Sequence, residues 1–541
     1  MNLKKNNSFS LDNLKKYFLL FYVLATVFTS IIYIINLFIS EINLGYTLDS
    51  PMYCAVARGM LNGITPYSGL YENKPICVFL LHALSFLLTD NVIIVNIFMC
   101  FSLLIIGFMP FICILKYMKK ESKGFSNHQV ILYSMMVLIS GFLIMNYAMK
   151  SAEYFEPEIL GASFICLYFW AIMHINWKKG EKVNKKSLII WTLLAAIFAM
   201  GGVMTKEPFA IIAVAGGLLL TESIRDFISK IVIPMCIGAV FSITLLFATG
   251  TLSGYFSIYI KNMFGNHISY YGSPFQRILD INKILTNIID FNLGLFLIIL
   301  VSILIIIIRI FTNRNFKLSL RIWKICSIII IIFATSFSIG LGGHYFPHHF
   351  VLAVPIYTLL IIEGCKALTE IFVGKKLKTT LVLIFSVFIY FIYFTNTINS
   401  FEISLNLSKF SQNMYYSSES QAKYVDAMLD YYDEDTYQFL GFNNTSYTFY
   451  GLTKHSPKGP VFVQDSYNFE DENNWFSQNL IKQLDEVNIV ILDKFNMPAI
   501  NDKVKKILDT EFTTKPKDKF TEMQIPNGFE IYTVYYRTGT H

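Results

Sequence analysis

Asp49, Glu72 and Lys74 share one polar, turn-rich stretch, Tyr46 to Pro75 (YTLDSPMYCAVARGMLNGITPYSGLYENKP), which follows the first apolar run of the chain. A carboxylate held just above a bilayer is either a surface group or a catalyst acting on a membrane-bound substrate. An amine at that height pairs with a lipid phosphate or snorkels out of the apolar layer. Asp49 also precedes Ser50-Pro51, where it would cap a helix with proline at its first position, and capping does not exclude catalysis. Three further short segments carry the same kinds of group: Glu153, Glu156 and Glu158 in KSAEYFEPE, Lys206 and Glu207 in TKE, and His344, Tyr345, His348 and His349 in GGHYFPHH. Taken singly, each is an ordinary polar loop residue. Acids, lysines and histidines crowded into short loops beside apolar runs point to a functional surface, because charge near membrane depth is costly.

The elements that must hold these groups are membrane helices. Of 541 residues, 54% are hydrophobic and only 15% charged, against about 25% charged in soluble domains, and mean hydropathy is +0.50. A span needs about 20 mostly apolar residues, and eleven runs qualify as candidates: 17–39, 91–115, 130–148, 157–175, 188–204, 208–222, 231–250, 292–311, 325–341, 350–365 and 379–398. The run Ile76–Leu88 is too short and reads as a helix at the interface. Lys residues precede the first run, and no small-residue cleavage site follows it, which predicts an uncleaved first helix. The eight cysteines include Cys54 and Cys77, which pair or simply pack; the others sit in or beside apolar runs, and no CxxC spacing suggests zinc.

Lys and Arg set the orientation. With the N-terminus in the cytoplasm, inside segments carry 24 Lys+Arg and outside loops only 7, which places all the groups named above outside. An odd number of spans also puts the tail, 399–541, outside. That tail carries 13 Lys+Arg and 20 Asp+Glu, so the chain's excess positive charge reports membrane topology, not a nucleic-acid partner. Short apolar runs at Gln438–Phe442, Val461–Val463, Asn488–Leu492 and Glu530–Tyr536, with helical patterns near Trp475–Leu484 and Asn501–Leu508, predict a small α/β domain. The domain expectation is thus a transmembrane unit, 1–398, and an extracytoplasmic α/β unit, 399–541.

The order of motifs carries a resemblance. A first span leads to Asp49, then Tyr53 on a small-residue helix, G-x-x-P-Y at 63–67 and Lys74-Pro75; later come Glu156-Pro157, M-T-K-E-P at 204–208 and G-H-Y-F-P-H-H-F-V-L-A-V-P at 343–355. Over roughly residues 10–400 this resembles the GT-C superfamily of membrane glycosyltransferases, in the bacterial branch of protein O-mannosyltransferases and aminoarabinose transferases. The resemblance implies a polytopic α-helical fold and transfer of a sugar from a polyprenyl-phosphate donor to an extracytoplasmic glycan, lipid or protein acceptor, commonly with inversion. Such chemistry needs a carboxylate base at the acceptor hydroxyl and cations or donors on the leaving phosphate. It implies Asp49 and Glu156 as catalytic groups, and Lys74, Lys206, His344, Tyr345, Glu72 and His349 as substrate or phosphate contacts. Many relatives carry paired acids in the first loop, whereas Asp49 has no acidic neighbour, which counts against a metal there; no cofactor is assigned, and a divalent metal stays open. The competing reading is a transporter or lipid flippase, which would favour mid-span ionisable residues and inverted repeats. Span interiors are almost free of charge, and neither half resembles the other.

Overall fold

The computed structural model describes residues 11–42, 49–120, 127–151, 156–175, 185–268, 274–313, 316–342, 345–372, 386–398, 418–441, 450–462, 469–495, 499–515 and 525–539. Its first eight helices are α1 (Leu11–Ile42), α2 (Ser50–Leu61), α3 (Ile76–Thr89), α4 (Ile93–Lys120), α5 (Asn127–Ser151), α6 (Pro157–Met173), α7 (Lys185–Val203) and α8 (Phe209–Leu219). Further apolar helices follow over Ile224–Ala248, Ile281–Thr312, Leu318–Gly340, Pro347–Ile371 and Ser386–Ile398. Each of the eleven apolar runs is therefore helical where described. Eight of these helices are long and apolar enough to cross a membrane, and the chain is a multi-pass membrane protein.

Three expected spans are shorter: α6, α8 and Ser386–Ile398. The case of α8 has a local cause. Its 11 residues reach only about 16 Å, and its last carbonyls are taken by side chains of neighbouring helices. Lys230 Nζ donates to Leu220 O at 3.1 Å, Trp323 Nε1 to Leu218 O at 3.3 Å, and Lys324 Nζ to Leu219 O. Cationic donors at a helix C-terminus satisfy orphan carbonyls and favour the local dipole. The helix Ile281–Thr312 breaks at Asn292 (φ −162°, ψ 80°), whose Oδ1 accepts the N–H of Leu295 and restarts the helix where the apolar run begins.

The helices bury polar as well as apolar surface. On α1, Tyr22, Thr26, Ser30, Tyr33 and Leu37 face inward, while Phe21, Leu24, Phe28 and Ile35 are exposed. Ser30 Oγ and Tyr393 Oη lie 3.3 Å apart, and Thr29 Oγ1 and Tyr390 Oη 3.2 Å, tying α1 to Ser386–Ile398. Such bonds are the usual glue where lipid already solvates apolar faces. Between α4 and α5, Gly107 meets Gly141: a methyl on Gly141 would lie 2.0 Å from the Gly107 carbonyl oxygen, whereas one on Gly107 would meet Met145 Sδ at 3.2 Å. Gly141→Ala must push the two helices apart and is expected to cost about 1–3 kcal/mol or more. Thermal unfolding in detergent should show this loss for Gly141→Ala and a smaller one for Gly107→Ala, where a flexible thioether can give way.

The tail forms a five-stranded mixed sheet from β1 (Thr436–Leu440), β2 (Ser456–Pro457), β3 (Ile489–Asp493), β4 (Phe512–Thr513) and β5 (Tyr532–Arg537), in the order β2-β1-β3-β5-β4. β1 pairs in parallel with β2 and β3; β5 runs antiparallel to β3 and β4. Helices Trp475–Glu486 and Asp502–Glu511 occur where their patterns placed them, capped by Asn474 and Asn501. A helix over 418–432 was not anticipated. Val461 and Phe462 were expected in a strand but join no ladder. The Gln483 amide accepts the Val461 N–H at 3.0 Å, and Gln438 Nε2 donates to its carbonyl at 3.1 Å, replacing strand partners. All eight cysteines are free, including Cys54 and Cys77.

The sheet is packed onto the first loop. Tyr71 N donates to Pro460 O at 2.8 Å, its ring meets Trp475 and Phe476 edge-on, and Arg58 Nη2 donates to Gly451 O at 3.3 Å. One apolar cluster accordingly runs from Tyr53, Tyr67 and Phe79 through to Phe439, Phe476 and Ile491.

Candidate active site

Asp49 occupies the N-cap position of α2, but its side chain makes no capping bond. Its carbonyl accepts the Met52 N–H at 3.1 Å. Its carboxylate instead receives the Tyr53 hydroxyl on Oδ2 at 3.4 Å. Tyr53 is fully buried and lies edge-on to His82 at 5.6 Å, which fixes that donor. The capping role read from Ser50-Pro51 is therefore filled in position only, and the half-buried carboxylate is left for other work.

At the far end of the same loop, Tyr67 adopts φ +69°, a conformation that costs a non-glycine residue about 1–3 kcal/mol. Burial against Phe79, Tyr255 and Tyr259 offsets that cost, and the Tyr67 hydroxyl donates to the Lys74 carbonyl at 3.1 Å. The backbone that carries Lys74 is thereby clamped. The Lys74 side chain is buried, with Nζ 5.8 Å from the Tyr53 ring centroid. No carboxylate among the described residues lies within ion-pair distance of it. Burial alone would lower its pKa, yet Glu158, Glu156, Asp49 and Glu72 together more than offset this and hold it above the ordinary lysine value. Lys74 is thus a fixed cation that faces the Tyr53 ring with no carboxylate within ion-pair distance among the described residues.

Glu156 sits at the N-cap of α6 and Glu158 in its first turn, again with no capping bond from Glu156. Both are buried, and in each the Oε2 oxygen has no hydrogen-bond partner among the described residues. Lys206, in the turn between α7 and α8, ion-pairs with Glu158 Oε1. His348 Nε2 stands 4.0 Å from that oxygen, and its ring meets the His349 ring edge-on at 4.4 Å. Burial, then the charges of Asp49 and Glu158, raise the Glu156 carboxyl well above the usual glutamate range. Burial also raises Asp49, with Lys74 opposing and Glu158 adding to the shift. Carboxyls pushed up in this way hold a proton more readily than free ones.

A cavity of about 120 Å³ opens beside this cluster, room for roughly four waters or a phosphate group. Lys74, Lys206, Glu207 and His349 form its polar end; Ile260, Met263, Phe264, Ile339, Leu341 and Leu352 form an apolar wall. Glu207 anchors that wall, accepting hydroxyls from Tyr259 and, at 3.4 Å, Tyr255. These tyrosines belong to a π-helical stretch over Tyr255–Ile260.

Of the residues expected at the site, Asp49, Glu72, Lys74, Glu156 and Lys206 act electrostatically on one another around Lys74, and His349 joins Lys74 and Lys206 at the cavity. Tyr345 points elsewhere: its hydroxyl donates to Asp280, and Lys283 Nζ stands 3.7 Å from its ring centroid. His344, like Glu153, lies outside the described residues. Glu158 was named among the loop acids but given no role, yet it pairs with Lys206 and is fully buried. Its signal was available, since an acid just inside an apolar run is costly unless paired. Glu158, His348 and His349 also bring one ligand atom each within 4.8 Å of one another, a spacing compatible with a metal ion.

These features define a multi-pass helical membrane fold: a bundle whose short first-loop helices and inter-helix turns gather the polar groups, with a small mixed sheet packed over the first loop. Among solved structures, the chain is similar to the crystal structure of ArnT from Cupriavidus metallidurans bound to undecaprenyl phosphate. The TM-score is 0.55 at 12% sequence identity, covering 94% of this chain and 97% of that one. No protein-family model matches the chain, and no curated protein matches it.

Proposed function

We propose that this protein is a glycosyltransferase that moves a sugar from a polyprenyl-phosphate donor to an acceptor outside the cell. The observation that carries this reading is the cavity lined by two lysines and a histidine, with Glu207 held by tyrosine hydroxyls, and otherwise mainly by apolar side chains. A lipid phosphate has those two needs: cations at the headgroup and apolar surface along the chain. The same fold in ArnT, solved with undecaprenyl phosphate, supports it.

In the proposed reaction, Asp49 accepts the proton of an acceptor hydroxyl as its oxygen bonds to the anomeric carbon. The bond from that carbon to the phosphate oxygen breaks, and polyprenyl phosphate leaves with the electron pair. Lys74 and Lys206 stabilise the charge that develops on it. Glu156, which retains a proton more readily than an ordinary glutamate, tunes the charge of both lysines. The site would face outward with the N-terminus in the cytoplasm, and the tail from 399 onward would form an extracytoplasmic domain over it.

The test uses full-length protein in liposomes with a panel of labelled prenyl-phosphate sugars and envelope acceptors. The expected result is acceptor labelling with stoichiometric release of prenyl phosphate. Movement of donor across the bilayer with no sugar transfer would instead support the flippase reading.

A further inference from the structure

We propose that Glu158, His348 and His349 form a binding site for one divalent transition-metal ion of the zinc class, a property that does not depend on the transferase reading. One ligand atom from each side chain lies within 4.8 Å of the other two. An ion held at about 2.0–2.2 Å from each ligand therefore needs only a small rotation of the rings to draw them in. Two imidazoles and a carboxylate favour zinc, cobalt or nickel over magnesium and calcium, which prefer oxygen ligands throughout.

A second observation points to a ligand at the same place. Glu158 is fully buried; its Oε1 is shared between Lys206 and, at 4.0 Å, His348 Nε2, and its Oε2 is buried with no hydrogen-bond partner among the described residues. A buried carboxylate oxygen left without a donor is expensive, and a cation removes that cost. The ligands stand on fixed backbone. Glu158 is in the first turn of α6, and the two histidines are consecutive in the 3-10 turn Pro347–Ala353, where His349 N donates to Phe346 O at 3.0 Å. Three protein ligands leave a fourth position open. His349 also lines the cavity shared with Lys74 and Lys206, so the ion would stand at the cavity's polar end, where an anionic oxygen can complete its shell. Lys206 opposes binding, since its ammonium shares the Glu158 carboxylate and repels a second cation.

The test titrates Co²⁺ alone into full-length protein, purified in detergent, freed of any affinity tag and stripped with chelator. The expected result is one equivalent bound, with visible d–d absorption of histidine-ligated cobalt that Zn²⁺ abolishes by displacement. His348→Ala and His349→Ala should each weaken binding by about 100-fold, at least as much as loss of an outer-shell partner does. His455→Ala, in the tail, should leave it unchanged. Lys206→Met should tighten it by about tenfold, and thermal unfolding of each variant shows whether it is folded. Absence of stoichiometric binding by the wild-type protein overturns the proposal, even where Lys206→Met binds. Binding that survives loss of both histidines overturns it equally.

Discussion

Replacing Asp49 by Asn is expected to lower the rate of sugar transfer by about 10³-fold, within the range for loss of a general base, while the protein still inserts and binds prenyl phosphate. Asparagine keeps the shape and can still receive the Tyr53 hydroxyl that reaches Oδ2 at 3.4 Å, but it cannot take a proton. Burial raises the folded Asp49 carboxyl above its ordinary value. The ionised form is the base, so activity should fall as pH drops through that raised value, placing the acid limb higher than an exposed aspartate would. The stability effect has the opposite sense. A carboxyl that binds its proton more tightly when folded contributes stability at low pH that is lost as pH rises through its folded pKa. Asp49→Asn should therefore not lower thermal stability at neutral pH, and a lost rate cannot then be ascribed to unfolding. Near-normal transfer by a folded Asn variant would remove Asp49 from the mechanism and shift attention to Glu156.

Breaking the Glu158–Lys206 pair is expected to destabilise the protein by about 3–5 kcal/mol from either side, since each single change strands a buried charge. Glu158 is fully buried and the Lys206 side chain is 15% exposed, so solvent does little to screen the survivor. Glu158→Ala and Lys206→Ala should each lower the unfolding temperature in detergent. The double variant Glu158→Leu with Lys206→Met should recover most of that loss while abolishing transfer, because the phosphate loses one of its cations. Additive losses in the double variant would mean that the two residues do not act as a pair. The same experiment separates the roles of the lysines: Lys74 has no carboxylate within ion-pair distance among the described residues, so Lys74→Met should cost activity more than stability.

Much of this could be read from residue types in order. The eleven apolar runs became helices because uninterrupted Ile, Leu and Phe can satisfy their backbone in lipid only in that form. Two tail helices followed from their helical patterns, and the structure shows each capped by an asparagine. The site residues were legible one by one, as acids and lysines that a short loop beside a membrane span has no cheap reason to carry. Val461 and Phe462 were misread because their backbone partners are side chains: Gln438 and Gln483 for Val461, from an adjacent strand and from the helix Trp475–Glu486, and the Tyr450 hydroxyl for the Phe462 carbonyl, and no local pattern announces that. The place of Tyr345 was not legible, because adjacency in GGHYFPHH says nothing about which way a ring turns; its hydroxyl's partner, Asp280, is 65 residues away.

By itself, then, the sequence determined that the chain lives in a membrane, where its helices begin, and which loops hold its ionisable groups, all of which depend on hydropathy and local spacing. Only the tertiary structure decided that Asp49 leaves its cap for Tyr53, that Lys74 faces the Tyr53 ring and meets no carboxylate at ion-pair distance among the described residues, and that Glu158 closes on Lys206 beside two histidines. The contacts of Glu158 join residues 48 and 190 positions apart, and they form because a buried charge must find its counter-charge through space, wherever the packed helices happen to bring one.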